Sequence, residues 1–214
     1  NYMSIIELET SFVNFDTVNV NETAASTVVI SNTGNADLAV DSISVFSGIP
    51  SSLSFDGSGD YVDLGDQLDI TGDFTISAYI NIENSETVHT IYAKSDETYS
   101  SSGAVKGYMF HVYNGVLKLG YRLSNGGDFG AVSSETTIEY NQWYNVAVTR
   151  SNNDIQLFID GESVGSGTFS GDITFPDGVN TYIGRWWNGG TGYTGYYYVG
   201  LIDEVAIWNT ARTQ

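Results

Sequence analysis

The stretch Gly200-Leu201-Ile202-Asp203-Glu204-Val205-Ala206-Ile207-Trp208-Asn209 decides how this chain is read. β-Branched and aromatic residues crowd it, which favours an extended strand. Leu201, Val205 and Ile207 share strand parity with Asp203, whereas Ile202, Ala206 and Trp208 share it with Glu204. Under strict alternation, one carboxylate stands in an apolar row whichever face turns inward. An unpaired ion there costs several kcal/mol, so the spacing predicts a partner. The only cationic side chains besides histidine are Lys94, Lys106, Lys118, Arg122, Arg150, Arg185 and Arg212. The candidate partners are a metal ion, backbone N–H groups or one of these cations.

Strand patterns continue upstream. Leu53–Gly65 reads as two strands around an Asp/Gly turn, and Phe74-Thr75-Ile76-Ser77-Ala78-Tyr79-Ile80-Asn81-Ile82 alternates with period two. Trp143–Arg150, then Ile155–Glu162 with its Asp160-Gly161 turn, then Thr181–Gly184 complete the series. No amphipathic helical stripe runs for three turns, so an all-β sandwich is predicted. Residues 1–50 differ in texture. Short strands are expected at Ser11–Phe15, Asp16–Val20, Ser26–Ser31 and Leu38–Phe46, with a turn cluster at Ser31–Asp37. The boundary near residue 50 divides the chain into 1–50 and 51–214.

Composition narrows the partners. A formal net charge of -19 repels nucleic acid and anionic membranes. It suits a soluble surface, or one that gathers Ca²⁺ through carboxylate and carbonyl oxygens. Without cysteine, disulfides, thiol catalysis and cysteine-based zinc sites are excluded. No apolar run approaches a membrane span, no signal peptide is visible, and membrane insertion is not expected. Neither Asn1-Tyr2-Met3 nor Ala211-Arg212-Thr213-Gln214 reads as a natural terminus, so a processed or excerpted chain is expected.

Two resemblances follow from these motifs. Thr27–Leu38, with its SNTGNADL turn, resembles immunoglobulin-like modules of bacterial surface proteins and of a cilium-associated family. Such a sandwich needs about 100 residues, so a partial set would pack on the second segment or take strands from another chain. Residues 51–209 carry, in order, the Leu53–Gly65 pattern, FTISAYI, W-NVAVTR, LFIDG and the closing IG…G-IDEV-IW. That set resembles the laminin-G-like branch of the concanavalin A-like lectin and glucanase superfamily. The resemblance implies a two-sheet antiparallel jelly roll, preceded here by an N-terminal partial immunoglobulin-like β segment. It also implies a non-enzymatic binding module for glycans or extracellular proteins, often with Ca²⁺. In relatives a structural ion bridges the first strand's loop and the last strand's aspartate; the matching positions are Asp56, or a neighbouring carbonyl, and Asp203. Asp60, Asp63, Asp66, Asp69 and Asp73 add loop oxygens. The alternative is that these aspartates shape turns by accepting backbone N–H bonds.

Catalysis is not expected. The glucanase cousins carry Glu-x-Asp-x-x-Glu on one strand face, and retaining hydrolysis needs carboxyls about 5–5.5 Å apart. Glu135 and Glu139 do not match that pattern, and adjacent Asp203 and Glu204 point to opposite faces of a regular strand. His89 and His111 lack a nucleophile turn, and His111 reads as a packed strand residue. The predicted recognition surface is the loop running from Arg185, Trp186, Trp187 and Asn188 through Tyr193 and Tyr196 to Tyr198. Indole and phenol rings stack on the C–H faces of sugars, and glycines bring the backbone close. The same anchors serve protein interfaces, while the resemblance implies that Tyr198 and one tryptophan fill the core, where the family carries an aromatic before the closing motif. A weaker patch combines Tyr99, Tyr108, Tyr121, Arg122 and Asp128, and Asn21-Glu22-Thr23 fits a glycosylation sequon. The expectation is an extracellular or cell-surface recognition module, virion surface included, that binds glycan or protein. The rival is a structural subunit of a filament, sheath or fibre, self-assembling through its N-terminal strands.

Overall fold

The computed structural model describes residues 6–8, 30–32, 52–84, 88–95, 107–122, 130–169, 173, 175, 177–186 and 196–212. The chain divides into two compact units, Asn1–Ile49 and Pro50–Gln214. In the first, β1 (Ile6–Leu8) pairs antiparallel with β2 (Ile30–Asn32), Glu7 opposite Ser31. Sequence patterning had not marked β1. The strands expected at 11–15, 16–20 and 38–46 lie outside the described residues, as do the immunoglobulin-like turn and the sequon.

The second unit is a sandwich of two antiparallel six-stranded sheets of jelly-roll type, and no helix occurs among the described residues. One sheet runs β12 (Glu162–Thr168), β11 (Asp154–Ile159), β10 (Trp143–Ser151), β5 (Phe74–Ile82), β16 (Val199–Trp208), β3 (Leu53–Asp56). The other runs β4 (Val62–Asp63), β13 (Thr181–Ile183), β6 (Val88–Ser95), β7 (Gly107–Tyr113), β8 (Val116–Arg122), β9 (Gly130–Thr137). The two strands read around the Asp56–Gly59 turn thus separate, β3 into one layer and β4 into the other.

Alternation builds the core. Phe74, Ile76, Ala78, Ile80 and Ile82 of β5 are buried, while Ser77, Tyr79 and Asn81 point the other way. Val146 and Val148 of β10 and Ile155 and Leu157 of β11 continue the inner row. Phe74 meets the opposite layer by stacking on Tyr108 of β7 at 5.0 Å, and Tyr108 stacks in turn on Tyr92 of β6 at 5.9 Å. Tyr108, read from sequence as a surface-patch member, is therefore core; Tyr121 is half-buried, donating its hydroxyl to the Thr168 carbonyl. Tyr99 and Asp128 of that patch lie outside the described residues, as does the Arg122 side chain. Tyr198 fills the core as expected, edge-on to Phe55 and His89.

β16 corrects the opening expectation. It pairs with β5 in register as Ile202↔Ile80 and Asp203↔Tyr79, then resumes at Ala206↔Ser77. Three steps on β16 span two on β5, a β-bulge that resets the parity. Glu204 adopts the left-handed conformation, φ 46°, and Asp203 Oδ1 accepts the Glu204 N–H at 2.8 Å. Ile202 before the bulge and Val205 and Ile207 after it all pack inward, while Asp203 is half-buried and Glu204 exposed. Neither acid enters the apolar row, so no buried partner is required. Strict alternation failed because one inserted residue shifts every later side chain to the other face.

Candidate functional site

The bulge opens onto the outer face of the β12–β3 sheet. Register places Asp203, Tyr79 and Asn145 side by side on β16, β5 and β10, and the next row holds Leu201, Asn81 and Trp143. Ser52, one residue before β3, joins Tyr79, Trp143, Asp203 and Glu204 around a groove of ≈ 550 Å³. That volume falls in the range of small-ligand sites, about 300–1,000 Å³. Tyr79 and Trp143 are 42% and 43% exposed, so much of each ring surface is open to solvent. An Asp160 clamp holds this end of β10: its Oδ1 accepts the Asn145 N–H at 2.8 Å, and its own N–H donates to the Asn145 carbonyl at 2.7 Å. Sequence reasoning missed Tyr79, Trp143, Ser52 and Glu204 as site residues. An aromatic in the polar row of FTISAYINI was the available signal; the pairing that sets Trp143 beside it was not.

The aromatic hairpin predicted as the recognition loop is only partly open to ligand. β14 (Arg185–Trp186) pairs with β15 (Tyr196–Tyr197). Trp186 and Tyr196 stack at 5.3 Å with 7° between their planes, and Trp186 Nε1 donates to Ser95 Oγ at 2.5 Å. The Arg185 guanidinium lies 4.0 Å from the Tyr61 ring centroid and 4.1 Å from that of Tyr182, cation–π contacts that hold it in place. All three predicted residues described here are half-buried. Trp187, Asn188 and Tyr193 lie outside the described residues.

The acidic loops test the calcium expectation. Asp56 and Asp203 do not converge: Asp56 stands opposite Val199, four positions from Asp203, or roughly 13 Å along a strand. Asp56 Oδ1 accepts Ser58 N–H, Asp60 Oδ2 accepts Asp56 N–H, Asp63 Oδ1 accepts Gly65 N–H, and Asp73 Oδ1 accepts Asn152 N–H. Asp66 and Asp69 instead meet Lys94, whose ammonium is buried 3.3 Å and 2.8 Å from their Oδ1 atoms and also donates to the Gln67 and Val179 carbonyls. A lysine thus sits among the clustered oxygens that Ca²⁺ would seek. Among the described residues, no group of three or more histidines, aspartates or glutamates is placed to hold a metal. The Asp56–Asp203 pair does not fit a shared ion.

The histidines have no catalytic arrangement with one another. β6 and β7 are adjacent, but His89 lies opposite Val112 of the core while His111 lies opposite Thr90 and Lys118. Burial lowers the pKa of both, His111 to about 4, with the Lys118 charge adding a smaller push. An unfolded histidine takes up its proton near pH 6.5, whereas native His111 resists until about pH 4. Its contribution is therefore complete above about pH 6.5 and falls as pH drops towards 4, by about 3 kcal/mol in all. Urea midpoints should decline across that window, and His111→Gln should flatten the limb. A midpoint equally pH-dependent in both proteins would refute this assignment.

A laminin-G-type family model, described as the concanavalin A-like lectin/glucanases superfamily, matches residues 56–214. No curated protein matches the chain. The fold is similar to a heptameric SAP-like pentraxin from Limulus polyphemus, at 20% identity and TM-score 0.54, covering 75% of this chain and 76% of that one. It is also similar to the CBM40 module of a Ruminococcus gnavus IT-sialidase bound to α2,3-sialyllactose, at 15% identity and TM-score 0.61, covering 76% and 91%. Domain 4 of the Geobacillus stearothermophilus arabinanase AbnA, in complex with arabinotriose, is similar at 18% identity and TM-score 0.57, covering 76% and 72%. These likenesses show a shared sandwich. With the family model covering residues 56–214, nearly all of the two-sheet unit, the chain belongs to the laminin-G-like branch of the concanavalin A-like lectin/glucanases superfamily.

Proposed function

We propose that the unit formed by residues 50–214 is a non-catalytic glycan-binding module acting outside the cell or at its surface. The observation that carries the reading is the pair of exposed aromatics, Tyr79 and Trp143, over a groove edged by Ser52, Asp203 and Glu204. Rings of this kind stack on sugar C–H faces with few rotors to freeze, while hydroxyl and carboxylate oxygens hydrogen-bond the sugar's hydroxyls. Two similar folds, the Ruminococcus module and the Geobacillus domain, are themselves seen with oligosaccharides, which supports the reading without assigning the ligand. Catalysis is disfavoured because the groove's two acids are consecutive residues on one strand. Retaining hydrolysis needs carboxyls flanking the scissile bond.

On a glycan array followed by titration calorimetry, the chain should bind at least one oligosaccharide class. Trp143→Ala should weaken that binding by about ten- to a hundredfold, the loss typical of a central aromatic anchor. Unchanged affinity in a folded Trp143→Ala protein would remove the groove. The Trp186–Tyr196 stack offers a second surface, and a loss confined to Tyr196→Ala would move the site to the hairpin.

A further inference from the structure

The groove's charge is one-sided. Asp203 and Glu204 line it, and no lysine, arginine or histidine does. Neither carboxylate enters an ion pair among the described residues; the salt bridges there are those of Lys94 with Asp66 and Asp69. Other cationic groups point elsewhere: Lys118 lies over Tyr113, Arg150 over Phe169, Arg185 over Tyr61 and Tyr182, and Arg212 over Trp208. The bulge keeps both acids beside the exposed rings, where regular alternation would have turned Glu204 into the core.

Three features converge on one ligand chemistry. Tyr79 and Trp143 present π-faces that attract a cation, tryptophan most strongly. The carboxylates add charge of the same preference and accept N–H hydrogen bonds. The ≈ 550 Å³ volume has room for a few sugar units. An anionic sugar would place its carboxylate against two others, with no cation lining the groove among the described residues to receive it.

We propose that the groove selects glycans bearing a free, protonated amine, such as glucosamine oligomers, and rejects acidic sugars. This rests on the glycan reading above and names the ligand class of the same site. The ammonium sits between the Trp143 and Tyr79 rings and the Asp203–Glu204 carboxylates, and the pyranose faces stack on the indole.

The test is titration of the full chain, at mildly acidic pH and low salt, with three probes: a glucosamine tetramer, its fully N-acetylated counterpart and sialyllactose. The free-amine oligomer should bind about tenfold more tightly than the acetylated one, since only it offers a cation. Sialyllactose should not bind. Added salt should weaken the free-amine oligomer alone, and Glu204→Gln should erase the preference. Asp203→Asn serves if Glu204→Gln does not fold. Equal binding of both tetramers, or tighter binding of the acetylated one, overturns amine selection and leaves the glycan reading standing. Failure of every probe and of the wider array sinks both. Capture of a lysine-rich peptide in place of any sugar, lost in Trp143→Ala, would make the groove a protein-docking site and overturn the proposal.

Discussion

Gly200→Ala should lower the stability of the second unit by about 4 kcal/mol or more, a drop in melting temperature on the order of 10 °C for a domain of this size. Gly200 has φ 124°, a conformation that L-residues rarely adopt. An added Cβ would also run into the Asn81 carbonyl oxygen of β5, a backbone atom that cannot swing aside. β16 pairs with both β5 and β3, so displacing it disturbs two ladders at once. Gly178→Ala is the matched control: its φ is 86°, but its Cβ would meet nothing within 4 Å. That variant should lose only the backbone term, about 1–2 kcal/mol. Chemical denaturation of both separates strain from collision. Equal losses would show that the approach of β16 to Asn81 is not what the glycine serves.

Lys94→Met should lower stability by about 3 kcal/mol, the lower end of the range for breaking a buried ion pair, because both acid partners are partly exposed. Methionine reproduces the lysine stem as far as Cε and removes the ammonium, which lies 5.2 Å from the Phe175 ring centroid. It removes the lysine's hydrogen bonds to the Gln67 and Val179 carbonyls and leaves two aspartates without their cation. Thr181 Oγ1 still donates to the Gln67 carbonyl, which limits the loss. The Asp66 carboxyl, held below the usual range first by the Gly178 N–H and then by Lys94, should rise only part of the way towards its ordinary value. Carboxyl titration by NMR would follow that rise, and thermal unfolding the stability. A melting temperature within a degree or two of the parent would show that the ammonium's desolvation cancels its contacts.

Other features of the site were readable to different depths. FTISAYINI announces a half-buried strand because its alternation survives any partner, and Tyr198 was expected in the core because the family resemblance implies an aromatic just before the closing strand. Asp203 and Glu204 were found as chemically notable but placed wrongly, since the bulge between Asp203 and Ala206 leaves no mark in residue type. The loop aspartates were read as oxygens available to Ca²⁺, with turn-shaping as the alternative; Asp56, Asp60 and Asp63 accept local backbone N–H groups, Asp73 accepts that of distant Asn152, and Asp66 and Asp69 hold a lysine. Lys94 lies 25 residues after Asp69 and 28 after Asp66, and the β13–β6 pairing helps to carry it to them.

Local chemistry by itself determined the all-β class, the turns and the ordered strand motifs that mark the superfamily. Period-two alternation and Asp-Gly turns are written in neighbouring residues and need no distant partner to be recognised. The tertiary structure alone decided which side chains share a face: the groove of Tyr79, Trp143, Asp203 and Glu204, and the lysine seated among the acidic loops. Cross-strand register and a one-residue bulge set those meetings, and both are fixed by how strands far apart in the chain pack against a common core.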